Sequence, residues 1–142
     1  MKALLILGCS ATKRPNTDEA LALHLYDGPL YRVLRGWMAR TPDWRERLDV
    51  TILSARYGLL AAETPIQAYN QRITLGRALR LRRDIAVDLR ACWRGPYTGV
   101  YISLGARYRE ALPYALPWPA RFAEGGIGTR QAELKAWLGG LS

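Results

Sequence analysis

The sequence predicts a three-layer α/β/α fold built on a four-stranded, mostly parallel sheet. Two observations carry this expectation. Short apolar runs recur at residues 2–8, 50–54, 99–104 and 119–123. Segments with helical spacing lie between them, most clearly at residues 74–94. Strands that alternate with helices form βαβ units, whose right-handed crossovers cover both faces of a parallel sheet.

The first strand is expected at Lys2–Gly8, where Ala-Leu-Leu-Ile-Leu is a continuous apolar run that ends in glycine. A polar connection with Pro15, Asn16 and Thr17 follows over residues 9–27. Residues 28–40 read as a helix with Pro29 at its first position and Leu30, Val33, Leu34 and Trp37 inward. Residues 41–49 connect to the second strand at 50–54, and residues 55–72 read as loop, with Gly58, Pro65 and Asn70. The helix at 74–94 places Leu75, Ala78, Leu79, Leu81, Ile85, Ala86, Leu89, Cys92 and Trp93 on one face, and Gly95-Pro96 stops it. The third strand is expected at 99–104, a short helix at 106–115 and an edge-like fourth strand at 119–123. A glycine turn at 125–128 then feeds a last helix, with Thr129 as its N-cap and Ala132, Leu134, Trp137 and Leu138 inward.

Composition narrows the class. The 142 residues suit one domain over 1–142, and 49% hydrophobic against 23% charged residues excludes a disordered chain. No apolar run approaches the roughly 18 residues of a membrane span, and the apolar start is too short for a signal peptide. The expected compartment is the cytoplasm, with no membrane partner. Two cysteines and a single histidine, His24, cannot build a Cys/His zinc site, so neither metal nor cofactor is expected. The 21 basic residues outnumber 12 acidic ones, a net charge of +9 that points to a polyanionic partner, nucleic acid or nucleotide.

Ligands of open α/β sheets bind beyond the carboxyl ends of the strands. The first strand is followed by Gly8-Cys9-Ser10-Ala11-Thr12-Lys13-Arg14, which combines a thiol, hydroxyls and cations. Backbone N–H groups, the Ser10 and Thr12 hydroxyls and Lys13 suit a phosphate, but the Walker spacing is absent. Cys9 beside Lys13 is a candidate nucleophile. Ser54, Arg56 and Tyr57 follow the second strand, and Gln67 and Tyr69 come after them; two tyrosines to stack on a base and an amide to bond its edge suit base recognition. Glu63 is the candidate general acid or base, with Asp27 and Glu110 as rivals. Gly126 and Thr129 open the last helix, a ready anion site. Gly105-Ala106-Arg107-Tyr108 after the third strand echoes Ser54-Ala55-Arg56-Tyr57 after the second. On the outer face of the long helix, Arg77, Arg80, Arg83, Arg90 and Arg94 suit a phosphate backbone. Arg82 falls inside the apolar stripe, so a tether to the 63–69 loop is expected of it.

Taken together, Leu7-Gly8-Cys9-Ser10-Ala11-Thr12-Lys13, Leu25-Tyr26-Asp27-Gly28-Pro29-Leu30-Tyr31, Ile52-Leu53-Ser54-Ala55-Arg56-Tyr57-Gly58-Leu59-Leu60, Ile66-Gln67-Ala68-Tyr69 and Gly125-Gly126-Ile127-Gly128 resemble an uncharacterised bacterial and phage domain family. That family is distantly similar to the YaaA peroxide-stress proteins, and its C-S-x-x-K loop resembles a domain of the archaeosine synthases. The resemblance implies a uracil-DNA-glycosylase-like α/β/α fold and a nucleic-acid setting, DNA ahead of RNA. The water-activating Asp of those glycosylases has no counterpart here, so the resemblance supplies no reaction. The expectation is an enzyme that handles a nucleotide or a nucleic-acid base; the alternative is a non-catalytic DNA-binding protection module.

Overall fold

A computed structural model describes residues 2–9, 19–67, 69 and 71–141. The chain runs β1 (Lys2–Gly8), β2 (Glu19–Leu21), α1 (Ala22–Leu25), α2 (Pro29–Arg40), α3 (Trp44–Arg47), β3 (Leu48–Ser54), β4 (Gly58–Ala61), β5 (Pro65–Gln67), α4 (Leu75–Cys92), β6 (Tyr97–Ser103), α5 (Ala106–Arg109), β7 (Arg121–Phe122) and α6 (Ile127–Gly139).

β1 is the spine of the sheet because it has no polar side chain to keep in water between Ala3 and Leu7, all of them buried. Successive side chains of a strand point to opposite faces. Leu5 and Leu7 therefore join one core with Val50, Ile52 and Tyr101, while Leu4 and Ile6 join another with Leu53, Val100 and Ile102. β3 and β6 flank β1 in parallel, with Leu5 opposite both Val50 and Tyr101. β7 extends the sheet beyond β6 in parallel, and β4 folds back antiparallel on β3. The order is β4-β3-β1-β6-β7. The first core is roofed by Leu34, Trp37 and Met38 of α2 with Leu134 and Leu138 of α6. The second is roofed by Ala78, Leu81, Ile85 and Leu89 of α4. The α/β layering and mostly parallel sheet match the sequence expectation; the central sheet has five strands where four were expected.

The differences have local causes. Gly58 sits at φ +74°, a conformation L side chains avoid, and so turns the chain back along β3 as a fifth strand inside the expected loop. β5 pairs with β2 in a separate antiparallel ribbon, with Ala20 opposite Ile66. The helix expected at 106–115 is a single turn, α5; the chain then tightens, with the Ala111 N–H donating to the Tyr108 carbonyl and the Leu112 N–H to the Arg109 carbonyl, and Pro113 disfavours helix in the residue before it. α6 begins at Ile127 with Gly126 as N-cap, so Thr129 lies inside the first turn and does not cap it. At Gly125, φ +85°, an added Cβ would meet Thr129 at 3.3 Å, which restricts the turn to glycine. On α4 the buried stripe is narrower than the wheel suggests: Leu75 and Leu79 are exposed, and Cys92, expected inward, is exposed as well. Among the described residues no helix is long and apolar enough to cross a membrane.

Candidate functional site

The carboxyl ends of β1, β3 and β6 lie side by side because the three strands are parallel. Cys9 prolongs the β1–β3 ladder by one bond, its N–H donating to the Leu53 carbonyl at 3.0 Å. That places the half-buried thiol next to Ser54, the fully buried last residue of β3. Five of the protein's eight tyrosines gather around this pair. Tyr31, from the first turn of α2, donates its hydroxyl to the Gly8 carbonyl at 2.6 Å and closes the end of β1. Tyr26 stands 5.4 Å from Tyr31, ring to ring, and its hydroxyl lies 2.7 Å from that of Tyr69. Tyr57 meets Tyr69 edge-on at 5.5 Å. Tyr108, from α5, brings its hydroxyl to 2.8 Å from the Cys9 sulfur.

Bond counting gives this network a direction. The Ser54 hydroxyl oxygen accepts the backbone N–H groups of Arg56 at 3.2 Å and Tyr57 at 3.1 Å. A hydroxyl has two acceptor positions and one proton. With both positions filled, Ser54 donates to the Tyr69 hydroxyl, 2.7 Å away. Tyr69 also bonds Cys9, so two phenols, Tyr69 and Tyr108, share the sulfur. Burial, and then the bond to Cys9, holds both phenols well above their ordinary range. Burial pushes Tyr26 up to about 12 and holds Tyr31 well above its ordinary range. At neutral pH every one of these four phenols keeps its proton and is a hydrogen-bond donor.

Cations fix the rim. Arg77, in the first turn of α4, donates from Nε to the Ala55 carbonyl and from Nη2 to the Arg56 carbonyl, both at 2.9 Å. Arg130 ties the start of α6 to the Gly125 carbonyl at 3.0 Å and the Leu104 carbonyl at 3.2 Å. Arg56 is exposed, its guanidinium 5.4 Å from the Tyr57 ring centroid. Tyr57 is 37% exposed and is the open aromatic surface of the cluster; its hydroxyl donates to the Gln67 carbonyl at 3.3 Å.

The structure thus brings together Cys9, Ser54, Arg56, Tyr57, Gln67 and Tyr69. Ser10, Thr12 and Lys13 lie outside the described residues. Gly126 and Thr129 are exposed at the same sheet edge, beyond the end of β6. Glu63 does not join them. It follows β4, which runs antiparallel, and pairs with Arg45 at 2.7 Å near the amino end of β3. A seven-residue strand separates the two edges, about 20 Å. Its rivals are engaged too: Glu110 with Arg82, and Asp27 with Arg32 and Arg35, whose bonds hold the Asp27 carboxyl below its usual range. Of the helix arginines, Arg80, Arg83, Arg90 and Arg94 are exposed, whereas Arg77 is spent on the carbonyls named above. Arg82 is a tether, but to the far side: it donates to the Glu110 carbonyl at 2.9 Å and to its carboxylate at 3.2 Å, not to the 63–69 loop. Tyr26, Tyr31 and Tyr108 carry much of the site without having been singled out as site residues. The Ala-Arg-Tyr echo was the one sequence signal for Tyr108, and it places Tyr57 and Tyr108 in the same tyrosine cluster.

The arrangement can stack a planar group on Tyr57, hold an anion at Arg56 and offer two phenolic protons to a sulfur. Among the described residues no group of three or more His, Cys, Asp or Glu side chains could hold a metal ion. No curated protein and no solved structure matches the chain. A family of unknown function, DUF6884, matches residues 4–138, a span that includes every residue named at this site, and the chain belongs to that family.

Proposed function

We propose that the carboxyl edge of the sheet binds a nucleotide or a nucleic-acid base and acts on it through Cys9. The convergence of one thiol, one directed serine hydroxyl and five phenols beside an exposed arginine carries this reading. In it, Tyr57 stacks on the base and Arg56 takes a phosphate, joined by Ser10, Thr12 and Lys13 of the loop after β1. The Gln67 amide and Gly126 with Thr129 border the ligand. Cys9 is the candidate nucleophile in this pocket, and Tyr69 and Tyr108, as hydrogen-bond donors to its sulfur, favour the thiolate form. Glu63, at the other edge, takes no part. The C-S-x-x-K loop and the Leu-Ser-Ala-Arg-Tyr-Gly-Leu stretch support the reading through their likeness to YaaA and archaeosine synthase motifs. A uracil-DNA-glycosylase-like fold is the architecture that likeness suggests.

One observation favours the second reading, a DNA-binding protection module without catalysis: Arg80, Arg83, Arg90 and Arg94 are all exposed on or just after α4. Titration calorimetry with a panel of mononucleotides separates the two. Tyr57→Ala is expected to weaken mononucleotide binding by about 1–3 kcal/mol, the worth of one base stacked on an aromatic ring, and to leave duplex DNA binding unchanged. If no mononucleotide binds, or Tyr57→Ala binds as wild type does, the pocket reading is wrong.

A further inference from the structure

The amino edge of the sheet, opposite the thiol, carries a hollow of about 560 Å3, within the range of small-ligand pockets. Its two aromatic walls come from opposite layers. Trp44 of α3 packs against the core under α2 and α6, Trp93 at the end of α4 packs against the other core, and both line the hollow. Partly covered indoles are stacking surfaces for planar ligands. The polar groups beside them retain bonding capacity. Arg45 donates to one oxygen of Glu63 at 2.7 Å while its guanidinium lies 4.5 Å from the Trp44 ring centroid. The second Glu63 oxygen has no partner among the described residues and can accept from a ligand N–H. The Asp49 carboxylate, by contrast, is filled on both oxygens, by Lys2 at 3.1 Å and the Tyr97 hydroxyl at 3.0 Å. Past Lys2 and Asp49 the hollow opens into a second one of about 410 Å3 bordered by Arg94. The Nε of Arg94 caps the Ala91 carbonyl at 3.2 Å, which leaves the two terminal nitrogens for an anion.

We propose that this amino-edge hollow binds a nucleoside monophosphate whose base carries an exocyclic amino group. The base stacks on Trp93 beside the Arg45-covered Trp44, the amino group donates to Glu63 and the phosphate lies on Arg94. The site is separate from the carboxyl-edge cluster and does not depend on the function proposed there.

The five tryptophans make the test direct. Adenosine 5′-monophosphate, titrated into the 15N-labelled protein, shifts the indole N–H signals of Trp44 and Trp93 saturably and leaves those of Trp37 and Trp137 in place. Trp93→Leu, which removes the stacking face, and Glu63→Ala, which removes the acceptor, each weaken that binding about tenfold or more, with unchanged Trp37 and Trp137 signals as the check on folding. Uridine 5′-monophosphate, which lacks the amino group, binds correspondingly more weakly. Tyr57→Ala leaves the Trp44 and Trp93 shifts and their midpoint as they are, whatever it does to binding at the carboxyl edge, which keeps the result distinct from that reading. Silent Trp44 and Trp93 signals at millimolar adenosine 5′-monophosphate, or equal affinity for the two nucleotides, would overturn the proposal.

Discussion

Ser54 is fully buried, so its bonds have no water to replace them. Ser54→Ala leaves the N–H groups of Arg56 and Tyr57 without an acceptor and takes away one of the two hydroxyl partners of Tyr69. The expected loss is about 1–3 kcal/mol in urea unfolding; an unchanged midpoint would show that the turn finds other partners. The phenols around Ser54 predict a second behaviour. Tyr26 is raised from 10.0 to about 12 by burial, and Tyr31, Tyr69 and Tyr108 are raised for the same first reason. Below pH 10 the folded and unfolded chains hold these protons alike, and the stabilising difference is complete. Above pH 10 the unfolded chain releases protons that the folded chain keeps, so stability falls. For Tyr26 the fall spans pH 10 to about 12, at about 1.4 kcal/mol per pH unit for each such group. Unfolding followed from pH 8 upward, with phenolate absorbance recorded in parallel, tests this; constant stability through pH 11 would contradict it. Tyr57 and Tyr69 were legible in the sequence because they sit in polar stretches after an apparent strand. Tyr26 and Tyr31 were harder to see. They flank Gly28-Pro29, where a helix start explains the sequence without reference to the site.

At the scale of elements, α4 holds the molecule together through two arginines pointing in different directions. Arg77 grips the turn after β3, and Arg82 grips the segment after α5, with its guanidinium 4.3 Å from the Tyr114 ring centroid. Arg82→Met keeps the aliphatic stem but removes bonds to the carbonyl and carboxylate of Glu110. Glu110 is exposed and water takes up part of the lost bonds, so the expected cost is about 0.5–1.5 kcal/mol, read as a lower thermal midpoint; a midpoint equal to wild type would show the tether to be dispensable. The helical wheel identified Arg82 as misplaced in an apolar stripe. Its partner lies 28 residues away, beyond the reach of any pattern within the helix. β4 was illegible for a related reason. Gly-Leu-Leu-Ala has little alternation of its own, and it is a strand because β3 offers it an open edge.

For the whole molecule, the net charge of +9 sets long-range behaviour. Duplex DNA should bind weakly and with steep salt dependence, log K falling by about 0.9 per unit of log salt for each phosphate neutralised. If Arg80, Arg83, Arg90 and Arg94 each take one phosphate, the slope is about 3–4. Replacing Arg80 and Arg83 with glutamate should lower it by about two such contacts. Filter binding from low to high salt checks this, and a flat response would remove nucleic acid from the list of partners.

The sequence by itself determined the α/β class, β1 to the residue, the parallel flanking strands within two residues and the long helices. Each of these is a local periodicity or a run of buried side chains, which the chain carries wherever it folds. It also placed Cys9, Ser54, Arg56 and Tyr57 at strand ends, and parallel strands bring such ends to one edge. Tertiary structure alone decided the fifth strand, the direction of the Ser54–Tyr69–Cys9 network and the arrival of Tyr108 at the sulfur, 99 residues along the chain from Cys9. It also sent Glu63 to the opposite edge. Side-chain partnership across such separations depends on how layers pack and strands reverse, and an antiparallel return of four residues was enough to carry a carboxylate the length of the sheet away from the thiol.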